Sequence, residues 1–253
     1  MSESTTNVFG TTRSRVTAQH ALITPDTWVW QELPGWRGAK GVVHISPHLG
    51  ARFMQATVAL EAGGFTAGAA EGTERLVWVR TGALTLKLPG GASHKLTAES
   101  FAYLPPDRPH ELKAIEASNL VIFEKRYQKA AFELPEAIVG KASDAPGVPF
   151  MGDENARLQT LLPTDEQFDM AVNVFTYDPG ATLPQVEIHV MEHGLVMLDG
   201  MGVYRLGDSW YPVEAGDVIW MASYCPQWFV AMGNTPARYL YYKDVNREPL
   251  LGL

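Results

Sequence analysis

In the segment Glu187-Ile188-His189-Val190-Met191-Glu192-His193, a carboxylate is followed two and six residues later by imidazoles. Alternate side chains of a β-strand point to the same face, so Glu187, His189 and His193 can converge. Ile188 and Val190 would then face the opposite layer. The surrounding sequence is apolar, and unpaired charges there would be costly without a cation. The segment therefore predicts a strand that carries three metal ligands.

The composition limits the classes of function. The chain has 253 residues, 46% of them hydrophobic, which suits one large or two small domains. Its net charge of −8 argues against nucleic acid or an anionic membrane as the main partner. No apolar run approaches the roughly 18 residues of a membrane span, and residues 1–10 lack the apolar part of a secretory signal. Cys225 is the single cysteine, which suits a reducing cytosol, so we expect a cytoplasmic protein.

Short β-rich runs punctuated by Gly and Pro predict an all-β fold, either a sandwich or a barrel. In the first half, the predicted strands cover residues 41–45, 53–60, 76–79, 83–88, 101–104 and 120–127. In the second half, they cover residues 170–177, 185–190, 195–198, 202–206, 217–221, 228–232 and 237–242.

The two halves repeat their landmarks at a nearly constant offset. Gly82 and Gly200 lie 118 positions apart, and His110 and Gln227 lie 117 apart. Such a repeat indicates a duplicated domain. We therefore predict two domains, residues 1–145 and residues 146–253.

The spacing in the second half resembles the two motifs of the cupin superfamily. Glu187 takes the slot of the first motif's first histidine, His189 that of its second histidine, and His193 that of its glutamate. Gly200 follows at the required distance, and Gln227 takes the histidine slot of the second motif. The resemblance implies two jelly-roll β-barrels, a bicupin, with the site inside the C-terminal barrel.

The first half departs further from these motifs. Its corresponding slots hold Ala69, Glu71, Arg75 and His110. Because an arginine in a ligand slot repels a cation, we expect no metal in the N-terminal domain. Its expected roles are structural, in a contact between the domains or between subunits.

The residues by which the second half differs from the common cupin motifs resemble those of the (S)-ureidoglycine aminohydrolase family. This family acts in allantoin degradation, a part of purine catabolism. The family's set is Glu-x-His-x-x-x-His followed by Gln in a C-terminal cupin, with a degenerate N-terminal cupin. The resemblance extends over nearly the whole chain and includes residues 21–26, 33–36, 46–47, 50–53 and 239–247.

This resemblance implies a hydrolase that removes the amino group of ureidoglycine, giving ureidoglycolate and ammonia. The family uses Mn²⁺ and forms homo-oligomers. Its metal ligands correspond to Glu187, His189, His193 and Gln227. Its substrate contacts correspond to Glu187, Gln227, Tyr239 and Lys243, of which Glu187, Tyr239 and Lys243 are the candidate catalytic residues.

The chemistry of the candidate ligand atoms leads to the same expected metal without reference to the family. Two imidazoles, a carboxylate and an amide oxygen, with no thiolate, favour Mn²⁺ or Fe²⁺ over structural zinc, although another divalent metal is compatible. Cys225 lies two residues before Gln227, and Pro226 makes its direction uncertain, so it is the weaker candidate ligand. Tyr239 and Lys243 share a face of one predicted strand, and an inward lysine is costly unless it meets an anion such as a substrate carboxylate.

The residues leave several alternatives open. Water could attack the carbon that bears the amine, or ammonia could leave first to give an imine. The scaffold also supports other metal-dependent chemistries, such as those of a dioxygenase or an isomerase, and a non-catalytic protein that binds a small ligand.

Overall fold

The computed structural model describes residues 10–248, which form β-strands and four short 3-10 helices. The all-β prediction is confirmed. The strands are β1 (Arg15–Val16), β2 (His20–Ile23), β3 (Gln31–Glu32), β4 (Trp36–Ile45), β5 (Met54–Ala67), β6 (Thr73–Thr81), β7 (Ala83–Lys87), β8 (Ser93–Thr97), β9 (Ser100–Leu104), β10 (Glu111–Ala114), β11 (Ser118–Arg126), β12 (Ile138–Lys141), β13 (Val148–Phe150), β14 (Asp153–Thr160), β15 (Met170–Tyr177), β16 (His193–Asp199), β17 (Met201–Leu206), β18 (Ser209–Glu214), β19 (Val218–Met221), β20 (Gln227–Met232) and β21 (Ala237–Asp244). The 3-10 helices are Pro25–Thr27, Pro47–Leu49, Pro89–Gly91 and Ala142–Asp144. Within residues 10–248, no helix is long and apolar enough to cross a membrane.

The chain divides into two compact units. The C-terminal unit contains residues 10–29, 147–158 and 173–243, and the N-terminal unit contains residues 30–146, 159–172 and 244–248. The boundary at 146/147 lies one residue from the sequence-based boundary at 145/146. The sequence-based division did not predict that residues 10–29 belong to the C-terminal unit, or that residues 159–172 and 244–248 belong to the N-terminal unit. Residues 10–29 belong to the C-terminal unit because β2 pairs with β19, in the register Ala21↔Trp220. This pairing satisfies hydrogen-bonding groups that an edge strand would leave open.

The C-terminal unit is built from two sheets. One sheet has the order β1-β2-β19-β16-β21-β15-β14-β13, and the other has the order β18-β17-β20. Their alternating inward side chains form one apolar core, in which Leu195 and Met197 of β16 meet Tyr239 and Tyr241 of β21. The candidate site lies at one end of this core.

The N-terminal unit is built around one ten-stranded sheet. Eight strands follow the order β12-β9-β6-β11-β5-β10-β7-β8, while β4 pairs with β5 and β3 with β4. The 14-residue strand β5 pairs with β4, β10 and β11. Val77 and Val79 of β6 pack with Leu120 and Ile122 of β11 in its core.

The six strands β6–β11 repeat the pairing of the six strands β16–β21. In the N-terminal unit, β6 pairs with β9 and β11, and β7 pairs with β8 and β10. In the C-terminal unit, β16 pairs with β19 and β21, and β17 pairs with β18 and β20. Gly82 and Gly200 occupy the equivalent turns at φ +88° and +73°. A Cβ at either residue would lie 2.5 Å from the carbonyl oxygen of Ala117 or Pro236, so both turns require glycine.

Candidate active site

A cavity of about 170 Å³ lies in the C-terminal unit; we refer to it as the C-terminal cavity. It contains all six site residues predicted from the sequence, together with apolar and aromatic walls. The lining residues are Phe150, Leu158, Phe175, Leu183, Glu187, His189, Met191, His193, Leu195, Tyr204, Met221, Gln227, Tyr239, Tyr241 and Lys243.

The strand predicted over residues 185–190 is wrong. Glu187 forms one isolated bridge with Gln227, through backbone hydrogen bonds of 2.9 and 3.0 Å in the two directions. Beyond it, the carbonyl of His189 accepts a hydrogen bond from the backbone N–H of Tyr224. No ladder forms because the intervening Ile188 is 60% exposed and has no second layer to pack against. The strand begins only at His193, yet the predicted ligands still converge.

The four predicted ligand side chains meet around His189. Its Nε2 lies 3.1 Å from Nε2 of His193, 2.8 Å from Nε2 of Gln227 and 4.0 Å from Oε2 of Glu187. Adjacent ligands of one cation, each at roughly 2.1 Å, lie about 3 Å apart, which matches the first two distances. Rotating the Gln227 amide group by about 180° exchanges its nitrogen and oxygen, so that the oxygen faces His189 instead. Three of the four side chains therefore have the spacing of ligands to one ion.

The remaining nitrogens of both imidazoles contact backbone carbonyls. Nδ1 of His189 donates to the carbonyl of Met191 at 3.1 Å, and Nδ1 of His193 donates to that of Tyr242 at 3.3 Å. Because a carbonyl oxygen only accepts, these bonds place a proton on Nδ1 of each ring, and when both rings are neutral the two Nε2 lone pairs face each other. A cation between them would turn this repulsion into attraction, and a carbonyl acceptor on the other nitrogen is typical of histidines that bind metals.

Burial alters the acid–base properties of the site. It lowers the pKa of His193 to about 3, so this ring is neutral at physiological pH. Burial also raises the pKa of Glu187, against smaller opposing effects of His189 and Lys243. Within residues 10–248, no three His, Cys, Asp or Glu side chains are close enough to hold an ion as they stand. The two imidazoles and the amide fit a divalent cation, and Glu187 must approach by a small side-chain movement to join them.

The side chains of β21 form the wall beside these ligands. Tyr239, Tyr241 and Lys243 alternate on the face that lines the cavity, and Lys243 lies opposite His193 in the register of β21 and β16. The hydroxyl of Tyr239 lies 3.1 Å from that of Tyr177. Burial raises the pKa of Tyr239 well above its usual value, so its hydroxyl keeps its proton. This face presents an ammonium and a hydroxyl to a ligand beside the metal ligands.

The sequence did not identify several residues around the cavity. Tyr177 and Phe175 lie on β15, where alternation predicted a strand but did not indicate which face met the site. Phe150 lines the cavity from the short strand β13, far away in sequence. Cys225 is buried, its thiol donates to the carbonyl of Pro226, and it does not line the cavity.

The equivalent positions of the N-terminal unit carry different chemistry. Arg75 lies opposite Glu124 in the register of β6 and β11, as His193 lies opposite Lys243 in the other unit. The Arg75 guanidinium bonds Glu124 at 2.6 Å and lies 3.1 Å from Nε2 of His110. Glu71 is exposed on the turn before β6.

Comparison with known proteins identifies related enzymes. A cupin domain matches residues 173–242. The chain is 43% identical over 242 residues to the probable (S)-ureidoglycine aminohydrolase of Oryza sativa subsp. japonica, covering 96% of this chain and 78% of that protein. It is 33% identical over 233 residues to the (S)-ureidoglycine aminohydrolase of Escherichia coli (strain K12), covering 90% of this chain and 89% of that protein.

Solved structures show the same fold. The crystal structure of protein Ylba from E. coli has a TM-score of 0.84 at 30% identity, covering 94% of this chain and 96% of that chain. That of the putative glyoxylate induced protein from Pseudomonas aeruginosa has a TM-score of 0.86 at 32% identity, covering 94% and 93%.

Proposed function

Since the chain belongs to the (S)-ureidoglycine aminohydrolase family, we propose that it hydrolyses (S)-ureidoglycine to (S)-ureidoglycolate and ammonia in purine catabolism. The observation that carries this proposal is the convergence of Glu187, His189, His193 and Gln227 in one cavity with Tyr239 and Lys243. The 43% identity to the rice relative over 96% of the chain supports it.

The cavity fits a small molecule held at both ends. We assign the substrate carboxylate to the Lys243 ammonium and the Tyr239 hydroxyl, which share one face of β21. The carbon that bears the amine then lies toward Glu187 and Gln227. Two fixed ends leave one face of this carbon open to water, which accounts for a stereospecific reaction.

The metal centre of the proposal consists of Glu187, His189, His193 and Gln227. Mn²⁺ is the cation that we propose, and the mixed nitrogen and oxygen donors also suit Fe²⁺. When bound, such a cation supplies Lewis-acid activation of water or of the substrate. The chain's own contribution is the fixed direction of the two Nε2 lone pairs, set by the carbonyls of Met191 and Tyr242.

Proton transfer to the departing amine is assigned to Glu187. It is the acidic residue among the cavity-lining residues that the structure describes, and its Oε2 stands 4.0 Å from His189. A carboxyl group that holds the cation through one oxygen can carry a proton on the other oxygen and remain within reach of a substrate amine. Phe150, Leu158 and Phe175 line the apolar part of the cavity, which limits the water around this transfer.

We further propose that both units are cupin barrels. The support is the repeated pairing of β6–β11 and β16–β21 with the equivalent glycine turns at Gly82 and Gly200. A closed homo-oligomer is proposed as well, because pairing between subunits would cover exposed sheet edges. The single buried Cys225 agrees with a cytoplasmic location, where thiols stay reduced.

The test is ammonia release from freshly generated (S)-ureidoglycine, with chiral analysis of the product. Wild-type protein should release ammonia well above the spontaneous rate and give the (S)-alcohol. Glu187→Ala should reduce release to near background, whereas Glu116→Ala, on the exposed surface of the N-terminal unit, should leave it unchanged. Ammonia release at the spontaneous rate by wild-type protein loaded with Mn²⁺ would refute the assignment.

A further inference from the structure

The N-terminal unit contains its own cavity of about 490 Å³; we refer to it as the N-terminal cavity. The cavity lies on the inward face of the sheet, since Ala56, Val58 and Ile122 belong to the apolar core of this unit. The lining residues that determine what it can bind are Trp36, Met54, Ala56, Arg75, Ile122 and Glu124.

One ion pair supplies the charged groups of this cavity. Nε of Arg75 donates to Oε1 of Glu124 at 2.6 Å, and Nη2 lies 2.6 Å from the same oxygen. The guanidinium also lies over the indole of Trp36, 5.5 Å from the ring centre. Because Arg75 shares the inward face with Val77 and Val79, its charge lies in an apolar wall and is balanced there by Glu124.

His110 fixes the orientation of the guanidinium. Its Nδ1 donates to the carbonyl of Arg108 at 2.9 Å, which leaves Nε2 to accept from Nη1 of Arg75 at 3.1 Å. Burial lowers the pKa of His110 to about 4, so it adds no charge at physiological pH. The guanidinium is thus held by Glu124, His110 and Trp36 together, and it forms a rigid polar surface.

The carboxylate of Glu124 retains capacity to bind. Within residues 10–248, both hydrogen bonds from Arg75 to Glu124 reach Oε1, and 20% of the Glu124 side chain is exposed. Arg75 also lines the cavity, with 5% of its side chain exposed. A ligand therefore meets an acceptor and donors side by side, and the net charge of these groups is zero.

We propose that the N-terminal cavity binds a small neutral molecule with an apolar body and a carboxamide-type head, either an amide or a ureido group. The N–H groups of the head donate to Glu124, and its carbonyl oxygen accepts from Arg75. The apolar body lies against Trp36, Met54 and Ile122. An ionic ligand would add an uncompensated charge to a pocket that is already neutral, and its desolvation would oppose binding.

The proposal is independent of the reaction at the C-terminal cavity. The two cavities use residues at equivalent positions of β6, β11, β16 and β21, but one has metal-ligand chemistry and the other an internally neutralised pair. A protein without aminohydrolase activity could therefore still bind the neutral ligand. Likewise, a protein that does not bind the neutral ligand could still have aminohydrolase activity.

The experiment is isothermal titration of the full chain with three probes of similar shape: phenylacetamide, phenylacetate and 2-phenylethylammonium. Phenylacetamide should bind at one site per chain, at least roughly tenfold more tightly than either ion. Glu187→Ala and Lys243→Met should leave this affinity unchanged, which separates the site from the C-terminal cavity.

A cavity-filling variant provides the matched structural control. Ala56→Leu adds volume inside the cavity and should weaken phenylacetamide binding about tenfold or more without removing a polar group. Ala59→Leu, on the opposite face of β5, should bind like the wild type. The proposal is overturned if phenylacetamide does not bind at millimolar concentration, if either ion binds as tightly, or if Ala56→Leu retains full affinity.

Discussion

Lys243→Met tests whether β21 anchors the substrate carboxylate. The substitution keeps the length and most of the apolar contacts of the side chain but removes its ammonium group. Lys243 is half-buried at the cavity wall, beside aromatic residues such as Phe175 and Tyr241. An ion pair on an open surface would contribute about 0–1 kcal/mol, whereas a charge-assisted hydrogen bond in such a cavity contributes about 1.5–3 kcal/mol.

The expected result is a fall in kcat/KM of roughly 10- to 150-fold, which is that energy converted at 1.36 kcal/mol per factor of ten. Most of the change should occur in KM, because the bond is made in both the ground state and the transition state. Initial rates of ammonia release over a range of fresh (S)-ureidoglycine concentrations give both constants. Lys243→Arg should recover part of the loss, and Lys95→Met on the exposed side of β8 should have no effect. A KM within twofold of wild type would refute the assignment of the carboxylate to Lys243.

Three further predictions concern the fold and the site. Gly200→Ala should lower the free energy of unfolding, measured by urea denaturation, by about 2–5 kcal/mol, and Gly180→Ala should lower it by about 1–2 kcal/mol. Both residues have positive φ, but only at Gly200 would the added Cβ lie against backbone atoms. Equal losses in the two variants would contradict this close approach. Burial lowers the pKa of His44 from 6.5 to about 4, so folding resists its protonation, and stability should fall as pH drops through this window. Relative to His44→Gln, wild type should lose about 2.4 kcal/mol between pH 7 and pH 4.5, and a constant difference would refute the assigned cause. Tyr177→Phe removes the hydroxyl that lies 3.1 Å from that of Tyr239. Because such a hydrogen bond contributes about 1 kcal/mol, its loss should lower kcat/KM about fivefold. Unchanged kinetics would show that this contact does not orient Tyr239.

The sequence revealed features of the fold that depend on local backbone constraints. Gly82 and Gly200 stand out because each turn excludes a Cβ, and the chain repeats the constraint 118 positions later. The pairing of residues 10–29 with β19 could not be predicted in the same way. The His20–Ile23 segment has the composition of an ordinary strand, and the choice of its partner depends on which edge remains open in the folded unit.

For the candidate site, the sequence predicted which side chains would lie together but not the conformation of the backbone that carries them. Glu187, His189 and His193 line one cavity as their spacing predicted, although the strand expected there reduces to one bridge. Alternation alone could not show that Ile188 would lack a packing layer. Tyr177 escaped notice because it belongs to no local motif, and its contact with Tyr239 joins residues 62 positions apart.

The account's central claim is that the four side chains around His189 form a metal centre required for ammonia release. The most direct measurement strips the wild-type protein with a chelator, adds Mn²⁺ in steps, and follows bound metal and ammonia release from fresh (S)-ureidoglycine together. The account predicts that the stripped protein is inactive and that activity rises in proportion to bound metal, reaching its maximum at one equivalent per chain. His189→Ala should neither retain the metal nor recover activity. Full activity in stripped wild-type protein, or ammonia release by metal-free His189→Ala at the wild-type rate, would contradict it.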